Sequence, residues 1–80
     1  MPRYYFHVRV ADEFQEDLDG IEFDSPETAR YQAELGARDS LAEKLRFGQP
    51  IVAEQIEVVD EQGELLYTLR MEDLLKSPPQ

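Results

Sequence analysis

One uninterrupted helical segment constrains this chain more than any other feature. "SPETARYQAELGARDSLAEKLRFG" runs from Ser25 to Gly48, with period-two stretches on both sides of it. Ser25 can cap the free amide hydrogens, Pro26 stands where a missing N–H costs nothing, and Glu27 complements the helix dipole. Asp24 is an equal alternative cap, because Glu27 then falls three residues on and completes a capping box. The helix is expected to run to about Phe47, with Gly48 as its stop before Pro50. Its inward stripe reads Ala29, Ala33, Gly36, Ala37, Ser40, Leu41 and Leu45, with Tyr31, Leu35 and Ala42 at the edge. Most of these residues are small. A glycine in mid-helix costs roughly 1 kcal/mol of propensity, so Gly36 predicts a close approach to a sheet, where a bulky side chain would overpack.

A helix of about 22 residues and roughly 33 Å must have its apolar stripe covered. The flanking strands supply the cover. Tyr4 to Val10 reads as strand one, with Tyr4, Phe6, Val8 and Val10 on one face and Tyr5, His7 and Arg9 on the other. Ala11 to Gly20 reads as a polar connection closed by the Asp19-Gly20 turn, and Ile21 and Phe23 flank Glu22 in a short second strand. Ile56 and Val58 alternate with Glu57 and Val59 in strand three, "DEQG" makes a turn, and strand four follows from Glu64 to about Met71. Pairing Val58 with Leu65 sets Ile56 opposite Tyr67, and Leu69 joins them on the helix-facing side. The other face then collects Glu57, Val59, Leu66, Thr68 and Arg70 beside Tyr5, His7 and Arg9. "MEDLLK" fits one short helical turn, with Leu74 or Leu75 folding back on the core.

The order β-β-α-β-β gives an α+β, two-layer sandwich: a four-stranded, mainly antiparallel sheet with one long helix on one face. Strand order 2-1-3-4 is favoured over 1-2-3-4, because strand one is long and apolar and strand two is short and acidic, as suits an edge. Residues 1–76 form a single domain and 77–80 a frayed tail.

Charge narrows the partners. Eighteen acidic residues stand against eight basic ones, net −10, and eight carboxylates lie between Asp12 and Glu27 without a Lys or Arg. Such a balance opposes binding to nucleic acid and to an anionic membrane. No apolar run reaches transmembrane length and no signal peptide is evident, so a cytoplasmic location is expected. The absence of cysteine removes disulfides, thiolate metal sites and thiol catalysis.

His7, the single histidine, is one candidate for chemistry, but a flat sheet face lacks the concavity that excludes water. Asp17, Asp19 and Glu22 surround Gly20 somewhat as carboxylates do in a calcium loop, yet Gly20 comes too early and no closing Glu follows. They are weak metal candidates at most. The abundance of carboxylates deprives any glycosidase-like pair of weight. Open ββαββ sheets with aromatics also bind RNA, but Arg3, Arg9 and Arg70 alone would stand against the acidic whole. No catalytic residue, cofactor or enzymatic activity is assigned.

The opening "MPRYYFHV", the passage "LDGIEFDSPETAR" and the ending "QIEVVDEQGELLYTLRMEDLL" resemble a bacterial family of short proteins, common in rhizobia, classed as a domain of unknown function. Its members open with a Pro-Arg-Tyr-Phe-Phe-His-like strand, matched at Pro2 to His7, with Tyr5 where phenylalanine is usual. They carry an Asp-x-x-Gly turn, here Asp17 to Gly20, before an alanine-rich helix, and a closing hairpin matched at Glu57, Val58, Asp60 and Gly63. The resemblance implies a bacterial domain and no particular chemistry. The functional expectation is therefore a small acidic accessory protein that self-associates, as a dimer, or binds a protein partner. Its surface would be an edge strand or the open face of Tyr5, His7, Arg9, Val59, Leu66, Thr68 and Arg70. The alternative is a module responsive to a small molecule or divalent cation through the acidic loop Asp12–Asp24.

Overall fold

The computed structural model describes residues 1–50 and 54–76. Five strands and two helices follow in the order β1 (Arg3–Val10), β2 (Glu13–Gln15), β3 (Ile21–Glu22), α1 (Pro26–Arg46), β4 (Glu54–Val59), β5 (Leu65–Arg70) and α2 (Met71–Lys76). Every pairing is antiparallel, in the order β2-β1-β4-β5 with β3 also on β1. The expected architecture and its favoured order therefore hold, with β3, β4 and β5 as the second, third and fourth strands of the sequence reading. The addition is β2. Three residues of the supposed polar connection pair with Val8, Arg9 and Val10.

Alternate residues of a strand direct their backbone groups to opposite edges. Pro2 C=O accepts the Phe23 N–H at 3.1 Å and Phe6 N–H also points away from β4, so β2 and β3 occupy one edge of β1 in succession. The chain then crosses over β1 in α1 and returns as β4 on the other edge.

Ser25 is the N-cap: its Oγ accepts the Thr28 N–H at 3.2 Å, which settles the choice against Asp24. The helix ends at Arg46 with Phe47 as C-cap and Gly48 at φ 65°. Ala29, Ala33, Ala37 and Leu41 are its buried residues, each four after the last. Tyr4, Ala29, Ala33 and Val58 form the core cluster, with Phe6, Phe23, Ile56, Leu66, Tyr67 and Leu69 against it. Alanine at the helix contacts keeps α1 close to the sheet, and the molecule is only 17 Å through its shortest axis. That thickness leaves one sheet face without a covering layer.

Several placements differ from expectation. Gly36 is exposed, and a Cβ there would meet nothing within 4 Å, so it marks no close approach and a larger side chain would not overpack. Leu45, assigned inward, is 59% exposed, and Tyr31 and Leu35 are exposed rather than at the rim of the core. The buried row follows the i, i+4 ridge alone, which is inclined to the helix axis and so drifts away from positions 36 and 45. In the β4–β5 ladder Val58 faces Tyr67 and Ile56 faces Leu69, two residues from the expected register. A bulge at Val58/Val59 then sets Val59 opposite Leu65 and leaves Leu66 as the extra residue. Leu66 packs against the core. Strand four ends at Arg70, and Met71, almost wholly buried, starts α2. Leu74 is half-buried, as a residue folding back would be. The assignment of 77–80 as a tail lies outside the described residues.

Candidate functional site

The uncovered face of the sheet is built in rows. Register sets Tyr5, Val59 and Leu65 across three strands, then His7, Glu57 and Thr68, then Phe14, Arg9, Gln55 and Arg70. All of the open-face candidates except Leu66 are thus brought together. Leu65 takes the place of Leu66, because the bulge turns the latter inward. Phe14, which the sequence reading left in a loop, completes the face from β2.

The polar centre of this face satisfies itself. Arg9 Nε donates to Glu57 Oε2 at 3.2 Å, and Gln55 Nε2 donates to the same oxygen at 2.9 Å. The Arg9 guanidinium lies 4.6 Å from the centre of the Phe14 ring, a cation–π distance. The Phe14 ring also packs on His7 at 5.4 Å between centroids, and Tyr5 stacks on the other side of His7 at 6.5 Å.

His7 itself is tied to the acidic loop. Its Nδ1 accepts the backbone N–H of Asp17 at 3.0 Å, so the neutral ring carries its proton on Nε2. Asp17 is the hub of that loop. Its Oδ2 accepts the Phe6 N–H at 3.0 Å, in the gap between β2 and β3 where β1 has no strand partner on that edge. Its Oδ1 accepts from Asp19 N–H at 3.2 Å and Gly20 N–H at 3.1 Å. Partial burial pulls the Asp17 carboxyl upward, but the amide hydrogens of Phe6, Gly20 and Asp19, with His7 nearby, outweigh it and hold the carboxyl below its ordinary value. Gly20 closes the turn at φ 71°, and a Cβ there would lie 2.8 Å from both Arg3 Cγ and the Tyr5 ring. The Asp-x-x-Gly spacing is thereby explained: the aspartate replaces a missing strand, and only glycine fits the return.

This geometry bears on the metal candidates. Asp17 is committed to three amides, and Glu22 lies 3.6 Å from Arg3, on β1, rather than turning toward Asp17 and Asp19. Among the described residues no group of three or more His, Asp or Glu is arranged to hold a metal ion. A shallow basin of about 240 Å³ lies beside the loop, lined by Tyr5, His7, Asp17, Val59 and Asp60 among others. It opens broadly to solvent, and the His7 that lines it has its Nδ1 engaged by the Asp17 amide. Among the described residues no helix is long and apolar enough to cross a membrane.

A family model described as a domain of unknown function, DUF6894, matches residues 3–72, so the chain belongs to that family. No curated protein and no solved structure gives a match.

Proposed function

We propose that this DUF6894 chain works without catalysis, by docking a second copy of itself through the sheet face that α1 leaves open. The observation that carries the reading is the row Tyr5–Val59–Leu65, with Phe14 nearby, on a face no other layer covers. Leu65, at the start of β5, is 54% exposed and Phe14, in β2, 46%, while Val59 between Tyr5 and Leu65 is only 9% exposed. On this face Arg3 pairs with Glu22 and Arg9 with Glu57, and Arg70 adds a further positive charge. The net −10 therefore resides mostly elsewhere, which removes the main electrostatic obstacle to two copies meeting here. In plan the four strands offer roughly 500 Å² before side-chain relief, the scale of a small isologous interface. A small domain gains stability from such burial. The host is taken to be a bacterium, in keeping with the resemblance of the chain's motifs, and the compartment its cytoplasm, in keeping with the lack of a long apolar run in the sequence.

Sedimentation equilibrium on the parent and on Leu65→Lys tests this. Because Leu65 is exposed in the monomer, the substitution leaves the fold intact while setting a charge in the interface. The expected result is twice the chain mass for the parent at tens of micromolar, by analogy with small interfaces of modest affinity, and the chain mass for the variant. A monomeric parent, or a variant that still dimerises, overturns the reading.

A further inference from the structure

The opposite edge of the sheet carries a second surface, which shares Thr68 and Arg70 with the open face and adds the flank of α1. β5 ends the strand order, and among the described residues no strand pairs with its outer edge. Such an edge is a template for a further strand. Between it and the flank of α1 runs a groove of about 290 Å³, whose lining includes Arg30, Arg38, Arg70, Leu69 and Leu74. Half of the six arginines of a chain with net charge −10 thus converge on one groove. Glu34 and Asp73 line it too, but Glu34 is taken up by Arg30 at 3.4 Å. Among the described residues no carboxylate lies within 4 Å of the Arg38 or Arg70 side-chain nitrogens, so both guanidinium groups keep their donors for an incoming anion.

We infer that this groove takes an extended acidic segment of a partner protein, laid along β5 as an added strand with its carboxylates on the arginines. Spacing defines the segment. Arg30, which Glu34 already meets at 3.4 Å, and Arg38 are eight residues apart on one helix, a rise of about 12 Å. An extended chain covers about 13 Å in four residues, and positions i and i+4 point to the same side. The recognised segment therefore carries Asp or Glu at i and i+4 on the side facing α1, with apolar residues at i+1 and i+3 on the other side. Arginine on an edge strand can also serve simply to keep like edges apart. The apolar floor and the groove itself are what that simpler role would not require. A second copy does not supply the segment, because its own acidic stretch is folded: Glu13 in β2, Asp17 on three amides, Glu22 on Arg3.

Fluorescence anisotropy with full-length protein tests the assignment, using a dye-labelled peptide SVEVTVEVS and its glutamine counterpart SVQVTVQVS. The glutamate peptide is expected to bind about tenfold more tightly at low salt, through charge-assisted bonds to arginine, and the difference should vanish in about 0.5 M NaCl. Arg38→Gln and Arg70→Gln should each remove most of that preference while circular dichroism shows an unchanged fold. Equal binding of the two peptides, no binding, or arginine variants that keep the preference would overturn the inference. So would tighter binding of a single-stranded oligouridine than of the peptide, which would assign the groove to phosphates. Arg38 lies on α1, away from the open face, so its effect on peptide binding is separable from any change in self-association.

Discussion

The β4–β5 hairpin and the β1–β3 end of the sheet each close a turn around an aspartate, and they use it differently. In the hairpin, Asp60 Oδ1 accepts the exposed amides of Gln62 and Glu64, and the turn is closed again by backbone bonds between Asp60, Gly63 and Glu64. The strands on either side are six residues each and pair along nearly their whole length. At the other end the strands are three and two residues long, too short to hold a ladder. There Asp17 links the loop to the middle of β1 through Phe6, and His7 receives the Asp17 amide in return. One turn decorates a ladder. The other substitutes for one.

The sharpest way to break this contrast is to remove each aspartate. Asp17→Ala strips the acceptor from three amides, of which those of Phe6 and Gly20 are partly buried. The expected loss is about 3 kcal/mol, since a buried donor left unpaired forfeits its desolvation cost. Against a total stability of roughly 4–12 kcal/mol for a domain of this size, that is a large fraction. Asp60→Ala exposes two amides to water that can solvate them, and about 1 kcal/mol is expected. Urea denaturation of the two variants measures the difference, and equal losses would mean that the Asp17 loop carries no special weight.

The two turn glycines extend the comparison. Gly20 and Gly63 both have positive φ, but a Cβ at Gly63 meets open space whereas one at Gly20 meets Arg3 and Tyr5 at 2.8 Å. Gly63→Ala should therefore cost about 1 kcal/mol, the backbone penalty alone. Gly20→Ala should cost about 2 kcal/mol, the added part reflecting displacement of the Arg3 stem and the Tyr5 ring. Thermal melts in parallel rank the two, and equal losses at both sites would show that the loop relaxes freely.

Acid separates the halves by titration. The Asp17 carboxyl lies below its ordinary value in the folded chain, so it contributes stability that is fully present above the unfolded value, near pH 4, and is lost as pH falls through the folded one. The stability gap between the parent and Asp17→Asn should be constant from about pH 8 to 5 and narrow below about pH 4. Chemical denaturation across that range reads it directly. A gap independent of pH would show that geometry, not charge, sets the value of Asp17.

Legibility in the sequence followed the same division. Alternation over six residues revealed both strands of the β4–β5 hairpin, and "DEQG" its turn, because each signal is local. Its register was missed by two residues, since a bulge is fixed by how Leu66 packs beneath the sheet and not by the alternation itself. At the other end β2 offers one apolar residue, Phe14, in three, too few for any period to register. The role of Asp17 depends on partners ten and eleven residues away in β1, so its place in an acidic run concealed it. Capping residues marked both ends of α1 to within a residue. The outward position of Gly36 and Leu45 was hidden because the angle at which a helix crosses a twisted sheet is a tertiary property. Of the open-face candidates, all but Leu66 were legible, because a strand's period of two leaves no choice of face once one residue is placed.

The smallest expected effect concerns the one turn, among the described residues, in which residue type and backbone disagree. Ala11 adopts φ 53° in the tight β1–β2 connection, a left-handed conformation that Gly63 meets in the hairpin without a side chain. A Cβ in that region costs about 1 kcal/mol, while glycine returns a good part of this through the greater entropy of its unfolded chain. Ala11→Gly should accordingly stabilise the protein by only a few tenths of a kcal/mol. Asparagine, which tolerates the left-handed region and keeps a side chain, should do at least as well. Urea midpoints of the two variants and the parent decide the matter. Destabilisation by both would mean that the β1–β2 turn takes a different conformation in solution and that β2, with Phe14 on the open face, is less firmly placed than the C-terminal hairpin.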